Sequence, residues 1–210
     1  MTTLDILTFP SGPFETNAYL VVELETNKAM LIDAPSDVAG PVLRTLEDRH
    51  LTLEAIVITH GHWDHIGDTA ILKRDTGKPV LAHRLTVPRM EHPGSSSGAL
   101  PVEIEPSTAD RLIDEGDTIT LGEHDFVVWH LPGHDPGHIV LVSEPDKVIL
   151  GGDVLFPNGH GRIDIPGAND ADMIASLKRL AALPDDMTVY PGHGLPTSLG
   201  RERGWLPGAA

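Results

Sequence analysis

Cysteine is absent from the 210-residue chain, which excludes disulfides, thiolate zinc sites, iron–sulfur clusters and cysteine nucleophiles together. Positive charge is scarce. Lys plus Arg number 15 against 31 Asp plus Glu, a formal net charge of −16 with histidine neutral. A polyanion of that strength is repelled by phosphate backbones and anionic lipid headgroups, so no nucleic acid and no membrane is expected as partner. No apolar run reaches the ~18 residues of a membrane span, and the opening MTTLDILTFPSGPFETN lacks a basic segment followed by a long apolar stretch. The expectation is a soluble, cytoplasmic protein. Aromatic residues make up only 4%, whereas histidine reaches 12 residues, and histidine is the commonest metal ligand.

A chain of this length buries roughly 70% of its unfolded surface and needs no covalent staple. Short, β-branched stretches at Leu4–Phe9, Ala18–Leu24 and Ala29–Ile32 predict an opening antiparallel meander. From Val38 the period changes: Val38, Val42, Leu43 and Leu46 share a helical face to about Arg49, with Pro41 acceptable in the first turn. Strands are expected at Ala55–Ile58, Val80–Ala82, Thr118–Leu121, Phe126–Trp129, Ile139–Val142, Val148–Leu150 and Met187–Tyr190. Helices are expected near Asp68–Thr76 and over Asp170–Leu183, the latter capped by Asn169 or Asp170, with Met173, Ile174, Leu177 and Leu180 as its apolar face and Pro184 as its stop. Interleaving of the two periods predicts an α/β (α+β) class with sheets covered by helices. Glu91–Pro101, containing GSSSG, is the one linker-like segment; one domain spanning 1–210 is the expectation.

Residues 59–68 read THGHWDHIGD, directly after an apolar strand. His-x-His-x-Asp-His would arise about 0.003 times by chance in this composition. His60 and His62, two apart in an extended turn, can converge on one cation, whereas Asp64 and His65 are displaced enough to address a second. Nitrogen donors with carboxylates suit zinc, and also iron or manganese. The same construction recurs: a strand runs into LPGH at His134, another into GGD at Asp153, another into PGH at His193. Four strands each ending in a tight turn and a donor would gather those donors at one edge of a sheeted core.

HGHWDH, PGHDPGH, GGD and PGHG, together with FPSGPFETNAYLV, LIDAP around Asp33 and GDVLFPNGHGRID, resemble the metallo-β-lactamase-fold hydrolases over nearly the whole chain. Within them the pattern is most similar to the short glyoxalase II-like (hydroxyacylglutathione hydrolase-type) branch. The resemblance implies a four-layer αββα sandwich with the site at one sheet edge. It assigns His60, His62 and His134 to one metal ion, Asp64, His65 and His193 to a second, and Asp153 to both. The implied cofactors are two divalent ions, zinc first, with a bridging hydroxide as nucleophile; Asp64 would also orient that hydroxide or accept its proton. Arg162 falls where glyoxalase II has a basic residue that meets the carboxylate of the thiol cofactor. The implied reaction is hydrolysis of a small-molecule thioester, an S-2-hydroxyacyl thiol such as S-lactoylglutathione.

Two departures bear on the substrate. Asp164 and Leu195 stand where enzymes acting on glutathione thioesters have tyrosines, and only about seventeen residues follow His193, so the C-terminal helical extension of full-length glyoxalase II is not expected. The leading alternative is a persulfide dioxygenase, which shares the Gly-Arg-x-Asp stretch but uses one iron. A lactonase would usually carry a tyrosine where this chain has Phe156; a β-lactamase fits poorly with a bridging aspartate, a nuclease with the negative charge. A non-enzymatic metal-binding module is the last alternative. His50, His83, His92, His124 and His130 are read as surface or hydrogen-bonded residues, His138 and Asp33 as supports, and His160 and Trp63 as loop residues beside the site. Nothing in the sequence fixes the oligomeric state.

Overall fold

The computed structural model describes residues 3–95 and 100–208; the centre of the linker-like segment, 96–99, lies outside the described residues. In chain order the elements are β1 (Leu4–Ser11), β2 (Thr16–Glu23), β3 (Lys28–Ile32), α1 (Ala39–Asp48), β4 (Thr52–Ile58), α2 (Trp63–Ile66), α3 (Thr69–Thr76), β5 (Val80–Ala82), α4 (Val87–Glu91) and β6 (Arg111–Leu112). The second half holds β7 (Thr118–Leu121), β8 (His124–His130), β9 (Ile139–Ser143), β10 (Val148–Gly152), β11 (Leu155–Phe156), β12 (Gly159–His160), α5 (Asp170–Ala181), β13 (Thr188–Pro191), β14 (Thr197–Ser198) and α6 (Leu199–Glu202).

The first six strands form one sheet in sequence order, and the second sheet runs β14-β13-β10-β9-β8-β7. β1, β2 and β3 pair antiparallel as the expected meander, after which β3, β4, β5 and β6 are parallel neighbours. The crossovers from β3 to β4 and from β4 to β5 carry α1 and α2–α3, as parallel pairing requires.

Three apolar clusters make the layers. Tyr19, Val21, Met30, Ile32 and Val57 of the first sheet meet Ile119, Phe126, Val128, Ile139, Leu141 and Leu150 of the second. The other face of the first sheet buries Leu20, Val22, Leu31, Ile56 and Ile58 with Val42 and Leu46 of α1 and Leu72 of α3. The outer face of the second sheet packs Val140, Val142, Ile149 and Val189 against Met173, Leu177 and Leu180 of α5. Strands buried on both faces read as continuous apolar runs, which is why β2, β9 and β10 lack alternation. The result is the αββα sandwich.

Asn169 caps α5 by accepting from the Asp172 N–H at 3.0 Å. Ile174 departs from expectation: it is exposed, because the buried face follows Met173, Leu177 and Leu180 at i, i+4 and i+7 and leaves Ile174 one position round. Chain direction then sets the site. β8, β10 and β13 all run the same way, since β8 and β10 are each antiparallel to β9 and β10 is parallel to β13, so their C-terminal turns open at one edge.

Candidate metal centre

At that edge the turn after β4 carries His60, His62, Asp64 and His65, the turn after β8 carries His134, the end of β10 leads to Asp153, and β13 leads to His193. His60, His62 and His134 present donor atoms within 4.8 Å of one another; so do Asp64, His65 and His193, and so do His60, His65 and Asp153. All seven residues named from the sequence are brought together. The motif departs from a plain turn at Trp63, where α2 begins; its single helical turn carries Asp64 and His65, whose donor atoms converge with that of His193.

Hydrogen bonds fix which nitrogen each imidazole points inward. Asp33, in the left-handed region at φ 59°, accepts from Thr59 N–H at 2.8 Å, from Thr59 Oγ1 at 2.8 Å and from His65 Nδ1 at 2.8 Å. Because Thr59 donates its one hydroxyl hydrogen to Asp33, it accepts from His60 Nδ1 at 3.1 Å. His134 Nδ1 donates to the Arg162 carbonyl at 2.9 Å and His193 Nδ1 to the Phe14 carbonyl at 3.1 Å. These four rings therefore turn Nε2 toward the centre. His62 is reversed: its Nδ1 lies 3.0 Å from His60 Nε2, while its Nε2 faces Asp135 at 3.8 Å.

Asp153 stands between the two groups. Its Oδ1 is 3.4 Å from His65 Nε2, and its Oδ2 is 3.4 Å from His134 Nε2 and 3.5 Å from His193 Nε2. Asp64 Oδ2 lies 3.3 Å from His193 Nε2 and 3.6 Å from His65 Nε2, with Thr16 Oγ1 donating to it at 3.0 Å. Two ligands of a tetrahedral ion at ~2.0–2.1 Å are ~3.3–3.4 Å apart, so these spacings fit cations in the gaps. His65 Nε2, His134 Nε2 and Asp153 Oδ1 are buried without a hydrogen-bond partner, a costly state that a cation relieves.

Electrostatics point the same way. Burial favours the neutral form of Asp64, but His65 and His193 outweigh it and bring its pKa down to about 2. Asp153 is held well below the carboxylate range by the same balance, His65 leading. Burial, then His134 and Arg89, lowers His62 to about 3; burial with His65 and His62 lowers His60. Burial also opposes protonation of His65 and His193, yet the carboxylates prevail: Asp153 and Asp33 raise His65 well above its ordinary value, and Asp153 and Asp64 raise His193 to about 9.

Glycine is obligatory at two turns. A methyl at Gly192 would collide with the Asp153 carboxylate and lie 2.7 Å from His65 Cε1; at Gly152, with φ +46°, it would sit 2.7 Å from His138 Nε2. His138 itself is buried and accepts the Asp153 N–H at 2.8 Å, a supporting contact.

Sequence reasoning missed Thr16 and Asn17. Asn17 N–H donates to the Gly192 carbonyl at 2.7 Å and its side chain to Pro191 and Gly194 carbonyls at 3.0 and 2.9 Å, pinning the His193 turn to β2. The signal available was two polar residues abutting the unbroken apolar run AYLVV. Arg162 lines the cavity before the donors, but its guanidinium is exposed and paired with Asp164 at 2.9 and 3.0 Å. A further trio, His83, Asp114 and His130, also has converging donor atoms. There His83 Nδ1 accepts from Leu85 N–H, which leaves Nε2 protonated toward Asp114, and its ring stacks on His130 at 4.3 Å; that tautomer offers no lone pair to an ion. Among the described residues no helix is long and apolar enough to cross a membrane.

Residues 11–193 match the family model of the Metallo-beta-lactamase superfamily. The chain belongs to that superfamily. It is similar to hydroxyacylglutathione hydrolase GloC of Haemophilus influenzae, 33% identical over 206 residues that cover 95% of each protein, consistent with the glyoxalase II-like branch. Among solved structures it is similar to TTHA1623 in a di-iron-bound form, with 36% identity, TM-score 0.84 and coverage of 96% of this chain and 98% of that one. It is also similar to BLEG-1 B3 metallo-beta-lactamase, with 31% identity, TM-score 0.88 and coverage of 98% and 99%.

Proposed function

We propose that the protein is a dinuclear metal-dependent thioesterase that cleaves an S-2-hydroxyacyl thiol to a hydroxy acid and a free thiol. The observation that carries this reading is the convergence of His65, His134 and His193 on the two oxygens of Asp153 at 3.4–3.5 Å. His60, His62 and His134 would hold one ion and Asp64, His65 and His193 the other, with Asp153 shared. Zinc suits the nitrogen and carboxylate donors, and iron or manganese does too; such ions supply Lewis acidity and lower the pKa of a water between them. Thr16 donates to the Asp64 carboxylate, which would orient that water or take its proton. The residues lining the cavity include neither lysine nor tyrosine, and a thiolate needs less protonation than an amine. The similarity to GloC supports the thioester class, and a thiol product suits a reducing, cytoplasmic setting.

Elemental analysis combined with assays of thioester hydrolysis, lactam hydrolysis and oxygen uptake tests the reading. Close to two metal equivalents and thioester cleavage are expected. One iron per chain with oxygen consumed would replace it with the persulfide dioxygenase; cleavage of lactams alone would place the chain with BLEG-1 in activity as well as fold. Turnover of none by metal-loaded protein would leave a metal-binding module.

A further inference from the structure

The cavity before the donor cluster has a volume of about 690 Å³, the size of pockets that enclose a whole small ligand. Beyond the histidines, the aspartates, Arg162 and Gly194, its walls are Phe14, Trp63, Phe156, Ile165 and Pro166. Phe14 and Trp63 meet with ring centroids 4.9 Å apart, and Phe14 is 60% exposed, so a large apolar surface faces the incoming molecule.

Arg162 is the sole permanent cation among the lining residues. Both of its hydrogen-bonding edges used in the structure go to Asp164. An exposed pair of this kind is weak and can open, but Asp164 stays two residues away when it does. A ligand carboxylate reaching Arg162 exchanges one carboxylate for another and meets the displaced negative charge. Among the residues lining the cavity no permanent cation is therefore left unpaired, where a thiol bearing two carboxylates would need one.

We infer that the thiol half of the substrate is apolar and uncharged, of the aromatic or branched alkyl kind, rather than a peptidic thiol bearing carboxylates such as glutathione. The inference rests on the thioesterase reading only in calling that half a thiol. Phe14 and Trp63 form the face on which such a group packs, and Ile165 with Pro166 complete the wall.

Equilibrium binding separates this inference from its parent. Two stable thioethers carrying the same 2-hydroxypropyl group, one on benzyl mercaptan and one on glutathione, are titrated calorimetrically into the metal-loaded full chain. The benzyl compound should bind at least about tenfold tighter, a difference of about 1.4 kcal/mol. Phe14→Ala, which keeps the backbone carbonyl that holds His193, should weaken the benzyl compound about fivefold through loss of one aromatic contact and leave the glutathione compound within about twofold. Asp164→Asn should strengthen only the glutathione compound. Equal or tighter binding of the glutathione compound, or no response of the benzyl compound to Phe14→Ala, overturns the inference. The matching S-lactoyl thioesters test the parent reading: hydrolysis with a glutathione preference keeps the hydrolase and removes the apolar thiol, whereas the benzyl binding preference without any hydrolysis keeps the apolar ligand and removes the thioesterase.

Discussion

Arg89 and Asp135 form an ion pair in which the carboxylate is 1% exposed and the guanidinium 16% exposed. The second carboxylate oxygen accepts from Gly137 N–H at 2.7 Å, and the pair stands 3.8 Å behind His62 Nε2. Arg89 also reaches the Pro166 carbonyl at 3.4 Å. One side chain from α4 thus ties the turn bearing His134 to the ring of His62 and to the cavity wall.

Removing one partner of a buried pair strands the other charge, at a cost of about 3–5 kcal/mol. Arg89→Met should therefore destabilise the protein severely in urea denaturation, whereas the double variant Arg89→Met/Asp135→Asn should recover a large part of that loss. Additive losses in the cycle would show that the pair is not energetically coupled. Because Asp135 backs His62, Asp135→Asn alone should also weaken metal binding, toward the ~10–100-fold effect of losing a ligand's outer partner.

Gly192→Ala tests how tightly the His193 turn is packed on the donors. The added methyl must displace Asp153 or His65, so metal content should fall by at least one equivalent. Normal metal content in a folded Gly192→Ala protein would mean that the turn relaxes freely, against its three hydrogen bonds to Asn17.

Much of this arrangement is legible in the sequence because it is local. The first donor after each of these strands follows it by one to four residues, so an apolar run ending in a tight turn marks both the strand and the ligand. β4, β8, β10 and β13 were found that way, and their histidines and aspartates with them. Two-residue strands such as β6, β11, β12 and β14 are too short to show a period of two, and α2 is one turn inside a motif that reads as extended. Contacts between distant segments leave no local trace: Asn17 meets Pro191 and Gly194 across more than 170 residues, and Arg89 meets Asp135 from a helix that the period of its five residues does not announce. Arg162 is legible in its loop and lines the cavity; its ion pair with Asp164, two residues on, is what the structure adds.

Asp153→Ala removes the carboxylate that faces both donor groups. Loss of a supporting contact costs about 10–100-fold in affinity or activity, so loss of this direct donor should exceed that, with at least one metal equivalent gone. The apolar clusters do not include Asp153, so far-ultraviolet circular dichroism should be unchanged. More than a tenth of the original turnover in folded Asp153→Ala would remove it from the shared position.

Asp33→Asn isolates the part played by ring orientation. The carboxylate accepts three hydrogen bonds, two from Thr59 and one from His65 Nδ1, and an amide offers one oxygen and one donating nitrogen in the same space. If the oxygen keeps the Thr59 N–H, the nitrogen faces His65 Nδ1, whose ring must then accept there and carry its hydrogen on Nε2. That tautomer turns a hydrogen, not a lone pair, toward Asp64 and Asp153. Metal affinity of the Asp64–His65–His193 group should drop by about 10–100-fold, while the His60–His62–His134 group, apart from its Thr59 link, keeps its donors. Metal titration monitored by calorimetry should resolve one weakened and one retained site. Nitrogen-15 shifts of His65 in the metal-free protein, read at a pH high enough to make the raised imidazole neutral, should move from the Nδ1-protonated to the Nε2-protonated pattern. An unchanged tautomer together with two undiminished sites would show that Asp33 acts only by holding Thr59 and the end of β4.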